Sequence, residues 1–96
     1  MIRMEVIGNR SIEEDFFERL QAADVGQHYT LFPEAQGSGF AGPRRGDHIW
    51  PEENFVYVAY TDEPNEARQV RSIVAELREI FMDEGIRFFA TRGADL

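Results

Sequence analysis

Between Gln36 and Asn54 the chain reads QGSGFAGPRRGDHIWPEEN, a stretch that gathers several residue types able to do chemistry. Gly37-Ser38-Gly39, with Gly42 and Gly46, can present successive backbone N–H groups to an anion, and Arg44 and Arg45 can neutralise it. Gly-x-Gly is a common and weak signal, and glycines also serve any flexible loop. Asp47, His48, Glu52 and Glu53 follow closely, and His28 lies upstream. Imidazole and carboxylates together suit Zn²⁺ or another divalent ion, but this spacing matches no defined metal motif and equally describes solvated loop charge. Ile49, Trp50 and Pro51 place an aromatic anchor beside a rigid turn, which suits a protein partner or packing against the chain's own body. Arg87 and Arg92 flank the last apolar run and can reach an anion or form surface ion pairs.

Composition excludes other chemistry. All ten basic residues are arginines, so Schiff-base lysines and phosphate-loop lysines are absent. There is no cysteine, hence no thiolate nucleophile, thiolate metal site or disulfide framework. A net charge of −8 disfavours nucleic acid and anionic membranes as partners. Ser11 and Ser38 have no local histidine, so no hydrolytic triad is expected. Catalysis would have to use His28 in a sheet pocket, and the expectation is that the protein is not an enzyme.

These residues must be positioned by one domain, since 96 residues support a single core. Ile2, Met4 and Val6 alternate with Arg3 and Glu5, predicting a first strand over about 2–7. Ser11 and Glu14 form a capping box, and Ile12, Phe16, Phe17, Leu20 and Ala23 predict a helix from Ser11 to Asp24, ended by Gly26. Residues 27–32, QHYTLF, read as a second strand up to Pro33. The nineteen residues 36–54 show no periodicity and read as a long loop, the kind that is usually functional. Residues 55–60, FVYVAY, predict a third strand buried on both faces. Thr61 or Asp62 caps a second helix with Pro64 in its first turn. Val70, Ile73, Val74, Leu77, Ile80 and Phe81 form its apolar stripe, and Gly85 is expected in the left-handed conformation that closes it. Residues 86–91, IRFFAT, predict the fourth strand.

The order strand, helix, strand, strand, helix, strand is the ferredoxin-like βαββαβ arrangement of the α+β class: a four-stranded antiparallel sheet, both helices on one face, a long loop between strands 2 and 3. The other face is left bare and, from its aromatic content, is expected to be a large apolar patch buried against copies of the same chain. Neither a signal peptide nor a membrane span is read at the N-terminus, and the expected location is the cytoplasm.

With this order of elements, the long glycine-rich loop, the Tyr29-Thr30 pair and the Gly37-Ser38-Gly39 junction, the chain resembles the short PII-like members of the PII nitrogen regulatory superfamily. The resemblance implies a homotrimer with sheets facing inward and small effectors, such as adenine nucleotides, in clefts between subunits. It further implies a loop, the T-loop of the family, that docks on a membrane transporter or enzyme. The usual nucleotide site has a lysine-bearing loop after helix 2, where this chain has only Asp83-Glu84-Gly85. The expected ligand is therefore a small anion, adenine nucleotide or bicarbonate-like, held by Gly37, Ser38, Gly39, Arg44, Arg45, Arg87 and Arg92 from neighbouring subunits. A metal-responsive protein similar to CutA or to the efflux-associated PII-like proteins is the second reading, with Asp47, His48 and Glu52 as divalent-metal ligands.

Overall fold

The computed structural model describes residues 1–37 and 52–96, with Glu52 described by its backbone alone. The elements are β1 (Ile2–Asn9), α1 (Glu13–Ala23), β2 (Tyr29–Gly37), β3 (Glu52–Thr61), α2 (Pro64–Ile80) and β4 (Ile86–Arg92). They form one antiparallel sheet in the order β2-β3-β1-β4, and the two helices pack on the same side of it. The expected ferredoxin-like α+β fold is the observed one.

Strand parity places the core. Met4 and Val6 of β1, Phe55, Tyr57 and Ala59 of β3, and Ile86 of β4 alternate onto the helix side and are buried. Phe16 and Leu20 of α1 and Val70, Val74 and Leu77 of α2 meet them there, each 3% exposed or less. Phe16 stacks on Phe55 at 5.7 Å between centroids and meets Tyr57 edge-on at 5.1 Å, a geometry that adds to simple burial. The α2 stripe holds from Val70 to Leu77, but Ile80 is 56% exposed, and Phe81 packs against the core from just past the helix.

Several local expectations are corrected. Ser11 is not a helix cap: Arg10–Ile12 form a 3-10 turn, α1 starts at Glu13, and the Oδ1 of Asn9 accepts from the Ser11 N–H. A polar side chain two residues earlier satisfies the free amide, which shifts the helix start. The α1 end is closed by Asp24 at φ 53°, with Gly26 left-handed at φ 62° beyond it, whereas Gly85 has no positive φ. Instead the Gly85 carbonyl accepts from the Asn9 N–H at 2.8 Å, so this residue continues the edge between β1 and β4. The α2 N-cap is Glu63 with no side-chain bond of its own; Thr61 Oγ1 accepts the Glu63 N–H, and Pro64 begins the helix as expected.

β2 does not begin at Gln27 or stop at Pro33. It starts at Tyr29 and runs through Pro33 to Gly37, with a register shift between Phe32 and Ala35. Proline is tolerated there because β2 is an edge strand and the shift removes the demand for its N–H. Both ends of the expected loop are consequently paired strand: Gln36 and Gly37 face Glu53 and Glu52.

The bare face is less apolar than expected. Arg3, Glu5 and Ile7 of β1 lie beside Val56, Val58 and Tyr60 of β3 and Arg87, Phe89 and Thr91 of β4. Arg3 donates to Tyr60 Oη at 2.9 Å and to Glu5 Oε2 at 3.0 Å. β3 is accordingly buried on its helix face, while on the other Val58 is covered and Tyr60 is 54% exposed.

Candidate functional site

One end of the sheet collects the described residues nearest the segment singled out by sequence. Asn9 is the last residue of β1 and pairs with Asn54, and past that pair only β2 and β3 continue. The site is therefore the foot of a two-stranded ribbon. Gly37 is the last described residue of the ribbon on β2, where a Cβ would stand 2.7 Å from the side-chain end of Asn54, Nδ2.

Electrostatics at this foot centre on Arg10. Its Nη1 donates to Glu53 Oε2 at 2.8 Å and approaches Glu34 Oε1 at 3.5 Å. Sequence reading missed Arg10 and Glu34, because only antiparallel pairing brings a residue after β1 against residues 34 and 53. Asn9 was missed for another reason: it lies past the strand expected over about 2–7, and the capping role was given to Ser11.

Of the anion-site residues, Gly37, Arg87 and Arg92 are described. Arg87 pairs with Ile7 toward the ribbon end of the sheet, whereas Arg92 pairs with Ile2 at the opposite end. Five residues apart on a strand, they lie on opposite faces and about 17 Å apart along it. One chain therefore does not bring them together. Ser38, Gly39, Arg44, Arg45, Asp47, His48, Ile49, Trp50 and Pro51 fall outside the described residues, and of Glu52 only the backbone is described.

His28 is exposed and precedes β2, so it is not the sheet residue it was expected to be. Among the described residues no group of three His, Cys, Asp or Glu is placed to hold a metal ion. No helix among them is long and apolar enough to cross a membrane.

A second polar cluster ties the start of β2 to the core. Tyr57 Oη donates to the Gly26 carbonyl at 2.9 Å, and the Gly26 N–H donates to Glu66 Oε2 at 2.8 Å. A hydrogen bond from Thr61 and then that from Gly26 hold the Glu66 carboxyl below its usual range, with His28 adding a smaller favourable contribution. Burial pushes the Tyr57 hydroxyl far upward, so it remains a donor across the working pH range.

By sequence, the chain matches no protein-family model and no curated relative. By structure it is similar to CPII, a nitrogen regulatory PII-like protein from Thiomonas intermedia K12 bound to ADP, AMP and bicarbonate. The TM-score is 0.67 at 16% identity, covering 94% of this chain and 82% of that one. The form of CPII bound to ADP and bicarbonate gives a TM-score of 0.66 at 18% identity over the same shares of the two chains. A PII-like signalling protein from Thermus thermophilus gives 0.57 at 19% identity, over 94% and 83%. With its sheet order, its helices on one face and its β2–β3 ribbon, this chain has the fold of the PII-like proteins.

Proposed function

We propose that the protein is a PII-like regulator and not an enzyme: a homotrimer that binds a small anionic effector between subunits and acts on a transporter or enzyme through residues 36–54. The observation that carries this reading is the likeness of nearly the whole chain to CPII, whose structures hold ADP, AMP and bicarbonate. Adenine nucleotide and bicarbonate are thus the first effectors to test. The mechanism would be a population shift, in which ligand contacts at the ribbon favour loop conformers competent for the partner. Arg87 and Arg92 share a ligand only if two subunits supply them, which ties binding to assembly.

Calorimetry with ADP, AMP, bicarbonate and Zn²⁺ tests the reading on the parent and on a variant carrying Arg44→Ala with Arg45→Ala. ADP or bicarbonate binding that weakens at least tenfold in the variant is expected. Zn²⁺ binding without nucleotide or bicarbonate binding would favour the metal-responsive reading at Asp47, His48 and Glu52. Tight nucleotide binding unaffected by the substitutions would put the site elsewhere.

A further inference from the structure

Past the Asn9–Asn54 pair, β2 and β3 leave the four-stranded sheet as a ribbon through the pairs Gln36–Glu53 and Gly37–Glu52. A two-stranded ribbon has little stability of its own, and the register shift at its base, between Phe32 and Ala35, interrupts the pairing that would stiffen it. Two carboxylates occupy this base, Glu34 at the shift and Glu53 on the facing strand, and like charges on adjacent strands repel. Arg10, the first residue after β1, stands between them, its Nη1 2.8 Å from Glu53 and 3.5 Å from Glu34.

We propose that Arg10 is a positioning residue that braces the ribbon: one guanidinium ties both of its strands to the end of β1 and thereby sets how the ribbon stands on the body. Arg10 has a position that serves this purpose. It follows directly on the last paired residue of β1, and Asn9 is itself anchored by its N–H to the Gly85 carbonyl and by its side chain to Ser11. The brace therefore connects the ribbon to a fixed point and not to another mobile group. Its removal leaves two uncompensated carboxylates as well as a lost attraction.

The inference deepens the PII-like reading only in that this ribbon carries the segment proposed to act on a partner. Hydrogen exchange on the ligand-free protein tests it apart from any effector. In Arg10→Ala, peptides covering 33–37 and 52–54 should exchange about fivefold faster, the effect of losing two exposed ion pairs. Peptides over 4–7 and 57–59 should be unchanged. Arg10→Glu should accelerate the ribbon further, and Arg10→Glu with Glu53→Arg should return it to within about twofold of the parent, because the swap restores the pair. Glu53→Gln, which leaves Arg10 in place, should accelerate the same two peptides about threefold. Ribbon exchange unchanged in Arg10→Ala or in Glu53→Gln overturns the proposal, as does a charge swap that restores nothing. Failure to bind ADP or bicarbonate in calorimetry would count against the effector reading and leave these exchange results standing.

Discussion

At the scale of single residues, the contact with most at stake is the one around Gly26. The backbone there takes φ 62°, and a Cβ would run into Tyr57 Oη, with Leu20 and Val70 each 3.4 Å away. Gly26→Ala therefore combines backbone strain with displacement of the Tyr57 hydrogen bond, and should cost at least about 2 kcal/mol. In a domain of this size, thermal melting should fall by roughly 10 °C or more. Tyr57→Phe keeps the ring packing and removes only the donor to the Gly26 carbonyl, so a smaller loss of about 1–3 kcal/mol is expected in urea titration. Glu66 supplies the pH dependence. Its folded-state pKa is depressed below 4.5, so its contribution is present above the unfolded value and is lost as pH falls through the folded one. The parent should be more stable than Glu66→Gln at pH 7, and the gap between their melting temperatures should close as pH falls from 5 toward 3. A gap that widens in acid would contradict the assignment.

At the scale of elements, alternation and helical periodicity carried most of the reading. Met4 and Val6 against Arg3 and Glu5 gave β1 its buried face, and the stripe from Val70 to Leu77 gave α2 its own, because each pattern is a property of the element alone. What depended on partners was hidden. β2 passes through Pro33 because, among the described residues, it lies at the edge of the sheet, and a chain read residue by residue does not show which strand will lie there. The Arg10–Glu34–Glu53 cluster joins three segments, so its spacing has no local signature. Most of the expected site falls on 38–51, outside the described residues, and only Gly37 and the arginines of β4 were placed. The helix start offers a direct comparison of the two readings. Asn9 caps the 3-10 turn by accepting the Ser11 N–H, while Ser11 has no capping role. Asn9→Ala should cost about 1 kcal/mol and Ser11→Ala less than about 0.5 kcal/mol in chemical denaturation. Equal costs would restore the capping box.

At the scale of the whole molecule, the sheet face opposite the helices is where the proposed trimer would close. Phe32, Tyr60 and Phe89 are 54%, 54% and 46% exposed on that face, and Val58 lies among them. Arg3, bound to both Glu5 and Tyr60, shows that the face is not uniformly apolar, and that the charges of Arg3 and Glu5 are paired within the chain. A surface with paired charges and exposed aromatic rings can be buried without stranding a charge, which is the condition for a stable interface. Three copies closing around a threefold axis would hide it completely, and the mixed chemistry would set the register between them. Phe89 is the best residue to test, since it is opposite Glu5 on the open face and outside the helix-side core. Light scattering at micromolar concentration should give the mass of three chains for the parent. Phe89→Asp places a second carboxylate beside Glu5 and removes an aromatic contact, so it should give a single-chain mass with an unchanged far-ultraviolet spectrum. A monomeric parent would refute the assembly. A trimeric Phe89→Asp would move the interface off this face, and with it any ligand cleft that joins Arg87 of one subunit to Arg92 of another.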